Sequence, residues 1–324
     1  MKKNNLIFIV VSIALVIALG LCYYFLNTLN KNSTISPKAI VLGETYPLTV
    51  EDALGDTITI EKKPTRIISL APGTTEILFA VGSGDRVIGV SNYCHYPKDV
   101  EKLARVGDLI TPNIEKITSL KPDLVIAQRG NDRKVITKIK ETGFNVISVD
   151  PVSYDSLMDA IEILGKITEG KNYKDLNASI ATLKKSTADK AKAFKKHPKI
   201  LLLFSAEGDL FSAGPGTIID EMITLSGGEN IAKDAKFAWP QLSMEVVTAK
   251  NPEIIVITRD EMYQNPDPIE KVREKFKKDK KWSALSAVKN GQIYYVEGSN
   301  VNILGPRLIN GLEEFYKIVE DFQK

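Results

Sequence analysis

The pattern of apolar and polar positions changes character along the chain. Lys2 and Lys3 precede an almost unbroken apolar run from Leu6 to Leu26, interrupted by Ser12, Gly20 and the pair Tyr23–Tyr24. A helix of that length covers the roughly 30 Å hydrocarbon core of a bilayer. The leading lysines and trailing tyrosines suit an N-terminus-inside orientation. Residues 1–5 then form a cytoplasmic n-region, 6–26 a transmembrane anchor or signal segment, and 27–45 a tether, polar from Asn27 to Ser36. Two readings compete for the run: a signal peptide ending at a lipidated Cys22, or an uncleaved anchor. Leu21 occupies a place that lipidation normally reserves for a very small residue, and the run exceeds the usual signal-peptide length. Both points favour the anchor, and both readings put the rest of the chain on the outer face of the cytoplasmic membrane.

From Tyr46 the period alternates between two and 3.6. Strands are predicted at Arg66–Leu70, Arg86–Val90, Leu124–Ala127 and Asn145–Val149. Helices are predicted at Thr74–Val81, with Thr74 at the cap, at Ile114–Leu120 and at Arg133–Glu141. Strands spaced by helices imply parallel βαβ units. Asn172–Lys196 contains no proline or glycine and keeps a helical apolar spacing through Leu176, Ile180, Leu183, Ala188 and Ala191. It predicts one helix of roughly 35 Å ending at His197–Pro198. The strand–helix pattern then restarts with Ile200–Phe204, Thr217–Leu225, Ile254–Ile257 and Ile293–Val296, closing on an amphipathic helix at Arg307–Phe322. The expected fold is α/β: two similar lobes with mostly parallel sheets, residues 46–168 and 198–324, joined by a linking helix within 169–197.

The restart carries a repeat. Glu115 to Ile126 (EKITSLKPDLVI) can be laid on Glu245 to Val256 (EVVTAKNPEIIV), with Glu, Thr, Pro and an acid at identical spacing. Gly73–Thr74 likewise matches Gly216–Thr217. Shared βαβ turn chemistry could produce such a match, but the fixed Glu-to-Pro spacing favours two equivalent lobes with a ligand cleft between them.

Composition agrees with a mostly globular chain of roughly two domains: 324 residues, 44% hydrophobic and 26% charged. A net charge of +3, with lysines on solvated helices, gives no argument for nucleic acid. The chemistry inventory is thin. There is no phosphate loop and no G-x-S-x-G nucleophile elbow. Histidine occurs only as His95 and His197, so no metal site of several imidazoles is available, and no cofactor is expected. Cys22 and Cys94 are the two cysteines; Cys94 reads as a small buried hydrophobe.

The series Tyr46-Pro-Leu-Thr-Val, Arg66-Ile-Ile-Ser-Leu-Ala-Pro-Gly-Thr-Thr-Glu, Val87-Ile-Gly-Val, Ser91-Asn-Tyr-Cys-His-Tyr-Pro97 and Leu120-Lys-Pro-Asp resembles periplasmic-binding-protein-like receptors with a rigid helical hinge. These serve ABC importers of vitamin B12, ferric siderophores and haem. Ser226-Gly-Gly-Glu-Asn-Ile and Phe237-Ala-Trp-Pro-Gln-Leu-Ser look most like the cobalamin-binding branch. The resemblance implies a non-catalytic receptor, expected as a monomer, that delivers a macrocyclic ligand to a permease. It places Tyr93, Phe211 and Trp239 on the corrinoid cleft; Pro240 holds Trp239 extended, as a projecting indole requires, although a core indole is the alternative. Two further tryptophans of the branch appear here as Leu109 and Gln128, and its late charged residues fall on Ser299–Ile303, where Asn300 and Asn302 offer amides instead. The absence of an inward cluster of Arg or Lys favours a corrinoid over an anionic siderophore, with haem or a siderophore as the runner-up ligands. Glu115 and Glu245 correspond to the glutamates that dock into the permease, unless each serves only its helix N-terminus. A secreted metal-handling enzyme on a related scaffold is the alternative from another class, and would retain metal on purification.

Overall fold

The computed structural model describes residues 40–259 and 267–324. The predicted membrane segment 6–26, Cys22 and most of the tether lie outside the described residues. No described helix is long and apolar enough to cross a membrane.

The described chain begins with an antiparallel ribbon that the parallel βαβ expectation did not include: β1 (Ile40–Leu42), β2 (Leu48–Glu51) and β3 (Thr57–Ile60). In β2, Leu48 and Val50 are buried while Thr49 and Glu51 are not, the alternation of a half-buried strand. The buried Asp52 carboxylate closes the following turn by accepting from the amides of Leu54 (2.9 Å) and Asp56 (3.0 Å), and ties it to Ser148 (3.1 Å).

Next come β4 (Ile67–Ser69), α1 (Pro72–Ala80), β5 (Val87–Val90), β6 (Ala104–Arg105), α2 (Ile114–Ser119), β7 (Leu124–Gln128), α3 (Arg133–Glu141) and β8 (Val146–Val149). They build a five-stranded parallel sheet in the order β6-β5-β4-β7-β8. Helix α1 corrects one boundary. It starts at Pro72 rather than at a Thr74 cap, because proline at the first helical position has a preset φ and no N–H to leave unpaired. Thr74 lies inside the helix and donates to the Ala71 carbonyl, 3.0 Å away.

Helix α4 (Tyr154–Ile167), absent from the sequence expectation, is set by a reciprocal capping box between Ser153 and Ser156. The linking helix, α5, spans Tyr173–Ala191, shorter than the expected 172–196. At 19 residues it measures roughly 28 Å. It stops early because Phe194 turns back to stack on Tyr316, with ring centroids 5.6 Å apart. The Gln323 side chain then holds the amide and carbonyl of Lys196. Only Ile180, Thr187 and Ala191 of α5 are buried, a narrow stripe that makes this helix a surface strut.

The second half runs β9 (Lys199–Leu203), β10 (Leu210–Phe211), α6 (Ile218–Leu225), β11 (Glu229–Asn230), β12 (Gln241–Leu242), α7 (Met244–Lys250), β13 (Ile254–Arg259), α8 (Ile269–Lys278), α9 (Ser286–Lys289), β14 (Ile293–Glu297), α10 (Gly298–Val301) and α11 (Leu308–Phe322). Its main sheet is parallel, in the order β11-β9-β13-β14, and β10 pairs antiparallel with β12. The elements around the five-stranded sheet form the first lobe, and those around the four-stranded sheet the second.

Each sheet is apolar on both faces, as parallel sheets covered by helices require. The outer faces bury separate clusters, one around Val125 and Ile139 and the other around Leu201 and Phe276. The inner faces share one continuous core, in which Ile77 and Ile147 of the first lobe join Ile161, Ile200, Leu308 and Phe315. Helices α4, α5 and α11 therefore weld the lobes, and α5 does not carry the connection alone.

Candidate ligand cleft

The carboxyl ends of both parallel sheets converge on Leu304–Arg307, the segment between α10 and α11. From the first lobe, Gly73 at the start of α1 lies so close to this segment that a Cβ there would sit 2.2 Å from the Leu304 carbonyl oxygen. Only glycine allows that approach. Gln128, at the carboxyl end of β7 and 5% exposed, donates from Nε2 to the same carbonyl at 2.7 Å. This bond links the two lobes at the joint. Leu109, the other position where the branch has tryptophan, is half-buried.

The Glu76–Arg307 ion pair completes the joint. Glu76 on α1 is almost fully buried, and its two carboxylate oxygens accept from Arg307 Nη2 (2.6 Å) and Nε (3.1 Å). Arg307 Nη1 donates to Ser299 Oγ at 2.7 Å. Burial pushes the Glu76 carboxyl pKa up, against the pull of Arg307. Sequence reasoning passed over this pair. The available signal was a glutamate directly before the apolar run Ile77–Val81, which once buried needs a partner.

Both lobes carry exposed aromatic side chains. Phe211 (44% exposed) lies in β10, opposite Gln241, and Trp239 (48% exposed) in the loop that leads into β12. Ser212 donates to the Pro240 carbonyl at 2.9 Å, and Gly214 to that of Ala238 at 2.8 Å, so the two segments that carry these rings are clamped together. Phe204 backs Trp239 with centroids 5.8 Å apart. The half-exposed indole is not a core residue. Phe237, which the sequence reading did not single out as a wall, is more exposed still. On the first lobe, Tyr93 (42% exposed) stands in the loop after β5.

The expected amides behave differently from each other. Asn300 is half-buried and donates to Glu314 Oε1 at 2.6 Å, while the other oxygen of Glu314 receives the Glu297 amide. One N–H of Asn300 is therefore engaged within the second lobe. Asn302 is exposed.

Arginines at the carboxyl edges are neutralised locally. Arg129 forms a bidentate pair with Asp150 (2.5 and 2.6 Å). Arg105 donates to the carbonyls of Ser91 and Cys94 and to Glu101. Elsewhere, a cavity of about 620 Å³ lies beside α4 and α5, but its charged lining includes the Lys166–Glu162 pair, Glu169 and Lys174, and no exposed aromatic wall.

Glu115 and Glu245 are both exposed and occupy the same place in their lobes, the second residue of a helix capped by Asn113 or Ser243. The repeat continues past each helix. Lys121 and Asn251 both adopt left-handed backbone (φ 48° and 46°). Asp123 and Glu253 then accept from the amides of Arg66 (3.0 Å) and Lys199 (3.0 Å), at the strands that pair beside them.

Cys94 is fully buried, its sulfur 3.2 Å from Thr75 Oγ1 and 3.3 Å from Ser91 Oγ, and burial pushes the thiol pKa up. His95 contacts Glu101 at 2.9 Å. Among the described residues, no group of three or more His, Cys, Asp or Glu is placed to hold a metal ion.

Opposed carboxyl ends of two parallel sheets, a tied floor and aromatic walls define a two-lobed α/β binding protein. The chain belongs to the periplasmic binding protein family, whose model matches residues 67–299. An uncharacterized ABC transporter substrate-binding lipoprotein of Bacillus subtilis (strain 168) is 35% identical over 278 residues, 84% of this chain and 85% of that one. A vitamin B12-binding protein of Salmonella paratyphi A is 35% identical over 193 residues, 59% of this chain and 71% of that one. The crystal structure of a periplasmic vitamin B12 binding protein of Vibrio cholerae superimposes with a TM-score of 0.68 at 28% identity, covering 81% of this chain and 98% of that one.

Proposed function

We propose that this protein is the extracytoplasmic substrate-binding receptor of an ABC importer. It takes a corrinoid between its lobes without catalysis and presents it to the permease through Glu115 and Glu245. The observation that carries the ligand class is the combination of exposed rings and locally paired cations. Phe211, Phe237 and Trp239 offer broad apolar faces, whereas Arg105, Arg129 and Arg307 are each satisfied by protein carboxylates or carbonyls. A carboxylate-rich siderophore or the propionates of haem would want such arginines free. A corrinoid presents a large, weakly charged face to aromatic walls. The B12-binding relatives support the same reading. Titration with cyanocobalamin, hemin and a ferric siderophore tests it: binding of cyanocobalamin alone fits the proposal, and binding of hemin or the siderophore without cyanocobalamin overturns it.

The apolar N-terminus holds the receptor at the outer face of the membrane. The spanning anchor and a lipid on Cys22 differ in mass. The lipoprotein relative from Bacillus supports the lipid, and Leu21 supports the anchor. Intact mass of the membrane-extracted protein decides between them: the full 324-residue chain retains the anchor, and a chain shortened to Cys22 with added acyl mass carries the lipid.

A further inference from the structure

We infer that Tyr96 is a ligand-contacting residue of the cleft and that Arg307 is its positioning residue. The inference rests on the reading of the cleft as the binding site. Tyr96 shares with Tyr93 the loop after β5, and that loop is rigidly held. Arg105 binds the Ser91 and Cys94 carbonyls, Cys94 bonds to Thr75 and Ser91, and the Asn92 amide donates to Gly107 at 2.8 Å. On this base the Tyr96 ring lies against the Arg307 guanidinium, 4.5 Å from ring centroid to guanidinium carbon. A guanidinium uses its edge for hydrogen bonds and its face for stacking. Here three edge donations go to Glu76 and Ser299, which fixes the face that Tyr96 meets.

Despite that contact, Tyr96 remains 51% exposed, and its hydroxyl has no hydrogen-bond partner among the described residues. One flank is held by Arg307; the rest of the ring is open at the joint where the carboxyl ends of both sheets meet. If Tyr96 served only to cover Arg307, its open surface would have no use. The stack also alternates between lobes: Tyr96 and Glu76 come from the first, Arg307 from the second. A ligand resting on Tyr96 therefore bears on the joint itself.

The test compares wild type with Tyr96→Phe, Tyr96→Leu and Tyr96→Ala, each titrated with cyanocobalamin, hemin and ferrichrome by tryptophan quenching, with thermal melts alongside. Tyr96→Ala is expected to weaken the probe that wild type binds by about tenfold, with the melt nearly unchanged, and Tyr96→Phe to stay within about twofold. Tyr96→Leu, which keeps apolar bulk without the ring, is expected to fall between them. Arg307→Lys keeps the charge but loses the planar face, and is expected to weaken binding in wild type but not further in Tyr96→Ala. Wild-type binding that Tyr96→Ala and Tyr96→Leu leave unchanged overturns this inference alone. Failure of wild type to bind any of the three probes overturns the corrinoid reading and this inference with it.

Discussion

Glu76 of the first lobe and Arg307 of the second form a bidentate ion pair across 231 residues of sequence, with Nη2–Oε1 at 2.6 Å and Nε–Oε2 at 3.1 Å. Its neighbours are the Gly73–Leu304 approach and the Gln128–Leu304 hydrogen bond, so three independent contacts fix the floor of the cleft at one place. A floor tied in this way, together with the shared core, restricts the lobes to small motions about it. Solution scattering is expected to change little on ligand addition; a large closure would contradict the tied floor.

The ion pair has a pH signature. The folded state holds a proton on Glu76 more readily than the unfolded chain does, because burial raises its pKa above the usual value of 4.5 more than Arg307 lowers it. Its titration therefore favours the fold below about pH 4.5, and that contribution is lost as pH rises through the raised folded value. Relative to Glu76→Gln, wild type should lose stability with rising pH across this window. Denaturant titrations at several pH values read the difference, and parallel curves for the two proteins would contradict it.

Gly73→Ala places a methyl 2.2 Å from a backbone carbonyl that has no side-chain freedom to yield. Overpacking of this kind costs about 1–3 kcal/mol, which a fall in the denaturation midpoint reports. Because the strain falls on the joint, ligand affinity should drop with it. A variant as stable and as tight-binding as wild type would show that the lobes part easily at this point.

Cys94 is fully buried with its thiol pKa raised, so a thiol reagent should not label it in the native state at neutral pH. Labelling is expected only as the chain unfolds, at a rate that follows global opening. Rapid native labelling would mean that the loop carrying Tyr93 and Tyr96 opens locally.

Much of this was legible in the sequence for a definite reason. Strands such as Ile67–Ser69 and Ile254–Arg259 open on β-branched runs (Ile67–Ile68 and Ile254–Thr258), and the Glu115/Glu245 repeat recurs with its caps, left-handed residue and carboxylate clamp intact. Trp239 before Pro240 was recognisable as a projecting ring. Contacts between distant segments left no local mark. Arg307 gives no hint that it meets Glu76 and Tyr96, and nothing around Asn300 announces Glu314. The end of α5 escaped because Phe194 leaves the helix to stack on Tyr316, a tertiary effect that helix propensity does not contain.

Replacing Glu115 and Glu245 together should leave ligand affinity unchanged and impair uptake in cells, since charges at an interface rim govern encounter and orientation. Both are exposed, so the fold should tolerate the change. Normal uptake by the double variant would remove them from the permease contact.

The central claim is that the aromatic cleft takes a corrinoid. Titration of the purified protein with cyanocobalamin, followed by tryptophan quenching in wild type and in Trp239→Ala, tests it most directly. The account predicts saturable binding at or below micromolar concentration, weakened in Trp239→Ala by about 1–3 kcal/mol from lost burial of the indole. No saturable binding of cyanocobalamin at micromolar concentration would contradict it.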